Sequence, residues 1–127
     1  LPISLMLQDL ESAMEVGDEL FSLIEKEKGS FLVIGSSDLT HYEPHELASK
    51  KDHQLLEEVA KLEVRPFYTV LERLNISACG YGAIATVMHL SEKFEKHRGV
   101  LLKYATSGET SGDMSSVVGY SAVHFVP

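Results

Sequence analysis

The stretch that decides the fold reads Phe31-Leu32-Val33-Ile34-Gly35-Ser36-Ser37-Asp38-Leu39-Thr40-His41. An apolar run, a Gly-Ser-Ser break and then a carboxylate and an imidazole are typical of a buried strand that delivers polar groups into the loop at its carboxyl end. Open α/β sheets bind their ligands at that end. Asx turns after strands are also common. The stretch by itself therefore leaves two interpretations open: a binding loop, or a turn that Asp38 caps beside an exposed His41.

The segments around this stretch predict helices that alternate with strands. A strand over 1–7 precedes it, followed by a helix that begins at Leu10 after the N-cap Asp9 and has its stop signals at Lys26, Lys28 and Gly29. Residues 1–36 are therefore expected to form a βαβ unit with a parallel strand pair. Helical spacing of apolar residues predicts further helices at 44–62, 66–75 and 83–97. Two final strands are expected at 100–105 and 117–125, paired antiparallel across a polar loop.

These elements predict an α/β fold with a mixed, mainly parallel sheet flanked by helices. The 127 residues contain no repeat and no linker, and we expect a single domain. Because the chain opens on Leu1, in strand-like residues and without an initiator Met, we also expect that it is a fragment of a longer domain.

Composition narrows the classes of partner. The chain is 44% hydrophobic and 24% charged, an ordinary globular mixture. Its net charge of −8, without a cluster of Lys and Arg, argues against nucleic acid and anionic membranes as partners. The apolar opening over 1–7 is too short to span a membrane. Cys79 is the only cysteine, which precludes an internal disulfide and indicates a reducing cytoplasm.

Three side chains are candidates for chemistry. Asp38 and His41 suit a base and its orienting acid, or a polar pair that lines a metal pocket. Cys79 lies at the start of a predicted helix, where unpaired amides favour a thiolate, so it is either a nucleophile or a ligand. A small buried cysteine that lets Gly80 and Gly82 pack tightly is the alternative.

Two other polar features are less specific. The loop Thr106–Asp113 is long, polar and joins two predicted strands, which is typical of a loop that carries function and also of a mobile surface loop. Asp52, in the middle of the helix after Pro44, is expected to pair with Lys50 or Lys51 rather than to take part in chemistry.

Three motifs occur in order along the chain: Ser36–Tyr42, Ala78–Ile84, and Tyr104–Gly108 with Asp113–Tyr120 behind it. Together they resemble the C-terminal half of the Memo family, and the resemblance covers essentially the whole chain. It implies a fold similar to that of the class III extradiol ring-cleaving dioxygenases, which are non-haem iron enzymes. The chain would then be half of a larger three-layer α/β/α fold.

The resemblance also implies a site. The family pocket combines two histidines of the N-terminal half with an Asp, a His and a Cys of the C-terminal half. By motif match, Asp38 and His41 are the catalytic pair and Cys79 is the metal ligand, with pocket or substrate contacts from Ser37, Tyr81, Ser107 and Asp113. A thiolate shifts the preferred metal from iron toward copper or zinc. Without the two histidines, we expect this chain to bind metal weakly or not at all.

Three functions follow as expectations. The first is a metal-dependent oxidoreductase that acts on a small molecule or peptide. The second is a non-enzymatic binding or adaptor module with a vestigial site, and the third is a metal-free Cys-His-Asp hydrolase, which needs Cys79 and His41 within hydrogen-bond reach. Because half of a sheet leaves an unpaired edge, we expect self-association or pairing with the missing N-terminal half.

Overall fold

The computed structural model describes residues 1–127, which form five helices and three strands. None of the helices is both long and apolar enough to cross a membrane. In chain order the elements are α1 (Leu10–Lys26), β1 (His41–Glu43), α2 (His45–Lys61), α3 (Val64–Arg73), α4 (Tyr81–Lys93), β2 (Arg98–Thr106), α5 (Gly108–Ser111) and β3 (Val117–Val126).

The sheet is antiparallel throughout, with strand order β1-β3-β2. The antiparallel pairing of the last two strands is confirmed, and their register runs from Arg98 opposite Val126 to Thr106 opposite Gly119. The short strand β1 pairs with the other edge of β3, where His41 lies opposite Val118. The fold is therefore mixed α/β as expected, but the prediction of a mainly parallel sheet was wrong.

The two strands expected in the first third of the chain do not form. Residues 1–8 and 28–38 make no backbone-to-backbone hydrogen bonds, so the predicted βαβ unit is absent. Leu32 and Ile34 are 85% and 75% exposed. An apolar sequence favours a strand only where a neighbouring strand supplies the ladder, and a lone parallel pair is marginal in water. This chain contains no third parallel strand for them to join.

The helices follow the sequence pattern more closely. Asp9 caps α1 by accepting a hydrogen bond from Ser12 N–H at 2.9 Å, as predicted. Helix α3 begins two residues before Pro66, which is tolerated because amides of the first turn have no helical partner. Helix α4 begins at Tyr81 and ends at Lys93, rather than covering 83–97. The polar loop before β3 contains the short helix α5.

The core joins the helices to the sheet and anchors the loop over residues 37–43. Helix α2 lies against β2 and β3, α3 packs against α2 and α4, and α1 covers α4. The largest fully buried apolar side chains are Phe67, Leu55 and Met88. Leu39 and Thr40 are buried as well, so the loop that follows the 31–36 run is held by the core although that run forms no strand.

Candidate functional site

The first wall of the site is the loop that carries Asp38 and His41. Between them, Leu39 N–H donates to Gly119 O at 2.9 Å, and Gly119 N–H donates to Thr40 O at 2.9 Å. These bonds fix the backbone of the loop against β3. Asp38 and His41 lie on either side of the fixed residues, with side chains 45% and 19% exposed.

The second wall is the segment before α4, which carries Cys79. Gln8 Nε2 donates to Cys79 O at 3.0 Å, and Gln8 Oε1 accepts a hydrogen bond from Gly82 N–H at 2.9 Å. Gly80 N–H donates to Ser37 Oγ at 2.8 Å, which joins the two walls. Cys79 itself is exposed, so the alternative of a buried cysteine was wrong.

Three potential metal ligands converge between these walls. The ligand atoms of Asp38, His41 and Cys79 all lie within 4.8 Å of one another. Asp38 N–H donates to Cys79 Sγ at 3.3 Å, and His41 Nε2 lies 3.6 Å from Asp38 Oδ2. The structure therefore brings together the Asp, the His and the Cys that the motifs singled out.

The orientation of the His41 ring follows from Ser77, a residue that the sequence analysis did not identify. His41 Nδ1 lies 2.6 Å from Ser77 O, and a carbonyl can only accept, so Nδ1 carries the proton. Ser77 Oγ also accepts a hydrogen bond from His41 N–H at 2.8 Å. In the neutral ring Nε2 is then unprotonated and faces Asp38. No sequence signal marked Ser77, because its role depends on a contact between segments distant in the chain.

A β-bulge lies beside His41. Strands β1 and β3 lose register between His41 and Glu43, so Tyr42 has no partner in the ladder. Tyr42 adopts a left-handed backbone conformation, with φ of 59°, although its ring is 80% exposed. Strain of this kind and bulges both occur preferentially at functional sites.

Asp52 is fully buried beneath the loop. Its Oδ1 accepts hydrogen bonds from Thr40 N–H at 3.0 Å and Thr40 Oγ1–H at 2.6 Å, and its Oδ2 accepts one from Tyr104 O–H at 2.8 Å. Burial and the neighbouring Asp52 carboxylate raise the pKa of Tyr104. The expected pairing of Asp52 with a lysine was wrong, since α2 turns this residue inward and Lys51 pairs with Glu43.

The other residues predicted to line the pocket lie outside the three-ligand cluster, except that Ser37 bridges its walls. The Tyr81 ring packs edge-on against Tyr68, with centroids 5.9 Å apart. Ser107 Oγ accepts a hydrogen bond from Val118 N–H at 3.0 Å, which ties Ser107 to β3. Asp113 accepts hydrogen bonds from Ser115, which hold the pKa of its carboxyl below the usual range. Contact of these residues with a substrate stays a prediction.

Comparison with known proteins gives a consistent result. A family model described as Memo-like protein matches residues 1–124. A MEMO1 family protein of Sulfolobus acidocaldarius is 42% identical over 124 residues, which are 98% of this chain and 43% of that protein. A MEMO1 family protein of Methanosarcina acetivorans is 44% identical over 97% of this chain and 46% of its own length. One of Nitrosopumilus maritimus is 43% identical over 99% of this chain and 45% of its own length. The chain therefore spans less than half the length of these curated relatives.

Proposed function

The chain belongs to the Memo family, and on this premise we propose that it supplies three ligands, Asp38, His41 and Cys79, to a metal ion in a metal-dependent oxidoreductase. One observation carries the proposal. Three electron-pair donors lie within 4.8 Å of one another, and Nε2 of His41, which faces Asp38, is the ring nitrogen that the hydrogen bond to Ser77 O leaves free.

The charges at the cluster support a cation between these atoms. Nε2 of His41 and Oδ2 of Asp38 face each other at 3.6 Å, and in the neutral ring both are acceptors. No lysine or arginine forms an ion pair with Asp38. Two acceptors at this distance are stabilised by a proton or a metal ion between them. The sulfur of Cys79 lies within 4.8 Å of both side chains and adds a third electron-pair donor, which favours a metal ion over a single shared proton.

The donor set suits a transition metal. An imidazole, a carboxylate and a thiolate together match zinc, iron or copper, with the thiolate favouring zinc and copper. A metal ion bound there would polarise a substrate oxygen and, if iron or copper, would supply one-electron chemistry. Three protein ligands are typical of catalytic sites, which keep a coordination position open. Asp38 and Cys79 are accessible to a small molecule or peptide from solvent.

The protein's own residues prepare the ligands. The carbonyl of Ser77 keeps the proton of His41 on Nδ1, which leaves Nε2 as the ligand atom, an arrangement common among metal-binding histidines. The amide of Asp38 donates to the sulfur of Cys79 and orients it toward the other two side chains. A proton on Nε2 instead of the metal would make His41 and Asp38 the acid-base pair that the sequence suggested.

The geometry does not suit a Cys-His-Asp hydrolase. In such a site the acid holds the histidine nitrogen that faces away from the nucleophile. Here Ser77 O occupies Nδ1, and Asp38 approaches Nε2, the nitrogen that would have to take the proton of Cys79. The hydrogen bonds of Cys79 Sγ are with Asp38 and Ser37, not with His41.

A cobalt titration of the 127-residue chain tests the metal proposal. Co²⁺ bound through Cys79 gives a sulfur-to-metal absorption band. Because two histidines of the family pocket lie outside this chain, we expect weak binding through the three converging ligands, with the band saturating at one ion per chain only at high Co²⁺ concentration. We expect Cys79→Ser to abolish the band, and His41→Gln and Asp38→Asn to weaken binding. His97→Gln, which removes an exposed histidine outside the cluster, is the matched control. A wild-type chain without the band would refute the metal site and favour a metal-free binding module.

An apolar cleft indicates where this chain would contact another polypeptide segment. Residues 31–35 line a cleft of about 590 Å³, together with apolar side chains that include Ile24, Leu56, Val87 and Phe125. We propose that polypeptide from the rest of the family's length covers this cleft, and that the 127-residue chain alone associates with a second copy. In sedimentation we expect Leu32→Glu to favour the monomer and Leu47→Glu, exposed on α2, to have no effect. A stable wild-type monomer would contradict self-association.

The free thiol is consistent with a reducing environment. Cys79 is exposed and has no disulfide partner in this chain. A thiolate ligand that faces solvent persists where thiols are kept reduced. We therefore place the protein in the cytoplasm, as part of the same proposal.

A further inference from the structure

Asp52 is a carboxylate with no counter-cation in contact, 0% exposed, in the middle of α2. Its hydrogen-bond donors are all neutral: Thr40 N–H, Thr40 Oγ1–H and Tyr104 O–H. A buried carboxylate is costly unless it is well hydrogen-bonded, and hydrophobic residues of similar volume often replace such groups without loss of stability. The arrangement therefore requires an explanation beyond core packing.

The position of Thr40 supplies one. In the sequence Asp38-Leu39-Thr40-His41, Thr40 adjoins His41 and is two residues from Asp38. Asp52 accepts both the amide N–H and the hydroxyl proton of Thr40, while Thr40 O accepts from Gly119 N–H. Asp52 is thus the side chain by which α2 holds the loop, and its two short bonds act on the residue next to a candidate ligand.

The opposite side of the carboxylate is shaped to receive it. A Cβ on Gly119 of β3 would overlap Oδ2 of Asp52, so only glycine leaves room for the carboxylate there. The same Gly119 makes the two backbone hydrogen bonds to Leu39 and Thr40. The backbone between Asp38 and His41 is therefore fixed jointly by Gly119, Asp52 and Thr40.

We propose that Asp52 is the positioning residue of the site: through Thr40 it holds Asp38 and His41 where they meet Cys79. The role of these three as ligands rests on the proposed function, whereas the positioning of the loop does not. Asp52 touches neither a ligand atom nor the solvent, and it acts only through Thr40. Replacement of Asp52 should therefore displace Asp38 and His41 from Cys79 while leaving these side chains chemically unchanged.

The test compares Asp52→Ala, Asp52→Asn and Thr40→Val with Val59→Ala, which creates a cavity in the same helix about two turns beyond Asp52. Residues that orient metal ligands typically change metal affinity by about 10- to 100-fold. We expect a Co²⁺ affinity loss of that size in Asp52→Ala, a smaller loss in Thr40→Val, and partial rescue in Asp52→Asn, whose oxygen still accepts from Thr40. The double variant Asp52→Ala/Thr40→Val should bind Co²⁺ no more weakly than Asp52→Ala, because the two substitutions remove the same contact between Thr40 and Asp52.

A second measurement needs no metal. Amide hydrogen exchange at Thr40 and His41 should accelerate by about tenfold in Asp52→Ala and Thr40→Val relative to Val59→Ala, as expected for the loss of a hydrogen bond. Because Thr40→Val keeps the core filled, the exchange measurement can be made with this variant if Asp52→Ala does not fold.

The outcomes separate the two proposals. A wild-type chain that binds no Co²⁺ refutes the metal site, and the exchange at His41 then decides the positioning role alone. Unchanged exchange at His41 overturns that role, as does an affinity loss in Val59→Ala equal to that in Asp52→Ala, since global destabilisation would then explain both.

Discussion

The replacement Gly80→Ala tests whether the distance between the two walls of the site matters. Gly80 follows Cys79 and donates its N–H to Ser37 Oγ. Its φ is −120°, which alanine adopts without strain, so the substitution acts through space alone. A Cβ at this position would lie 2.5 Å from Ser36 O and 2.9 Å from Ser37 Cβ.

The structure sets the size of the effect. Ordinary van der Waals contact begins at 3.4 Å, so the Cβ must move from Ser36 O by roughly 0.9 Å, an overpacking that costs about 1–3 kcal/mol of stability. The same shift moves Cys79 away from Asp38 and His41. Because metal–ligand distances tolerate only about 0.2 Å, we expect Co²⁺ affinity to fall by roughly 100-fold.

The assay pairs a Co²⁺ titration with urea unfolding. Gly29→Ala is the control, because its Cβ would meet only the ring of Phe31, at 3.7 Å. We expect wild-type Co²⁺ affinity and stability in Gly29→Ala. In Gly80→Ala we expect roughly 100-fold weaker Co²⁺ binding and a stability lower by about 1–3 kcal/mol. If Gly80→Ala kept both the affinity and the stability of Gly29→Ala, the close approach of the two walls would not be needed for the site.

Three other changes test the core, the bulge and the surface charges. Leu55→Ala empties a fully buried position and should lower the free energy of unfolding by about 2–5 kcal/mol in urea, whereas a loss well below 1 kcal/mol would place Leu55 outside the core. Tyr42→Asn should raise stability by about 0.5–1 kcal/mol, because Asn adopts the left-handed conformation more readily and the ring is exposed; a loss would show that the ring packs in solution. Hydrogen bonds from Lys93 and His89 lower the pKa of Asp18 from 3.8, so its contribution to stability is present above that pH and is lost as the pH falls through the folded-state value. Unfolding of Asp18→Asn should therefore differ from wild type near neutral pH and converge with it in acid, and a constant difference would contradict this assignment.

The convergence of Asp38, His41 and Cys79 was predictable, because the ordered motifs that contain them resemble those of one family. Asp38, His41 and Cys79 come from segments about 40 residues apart, and the structure joins them. The helices were also predictable, since apolar spacing is a local signal. Only their ends differ, as at α4, where the predicted end lies beyond Lys93.

The errors share a physical cause. The 31–36 run has the composition of a buried strand, but a strand depends on neighbours that composition does not reveal. Asp52 was expected to pair with Lys50 or Lys51, but its hydrogen-bond partners are Thr40 and Tyr104, which lie 12 and 52 residues away in the sequence. Ser77 was missed for the same reason. The residues that support the candidate site are set by tertiary contacts, whereas the candidate ligands themselves lie in motifs that can be recognised in the sequence.

The metal site itself is tested most directly by X-ray absorption at the metal edge of the zinc-loaded chain. We expect one sulfur ligand at about 2.3 Å, from Cys79, together with nitrogen and oxygen ligands at about 2.0–2.2 Å from His41 and Asp38. In Cys79→Ser the sulfur shell should vanish. A wild-type spectrum with only nitrogen and oxygen neighbours would contradict the assignment of Asp38, His41 and Cys79 as one metal site.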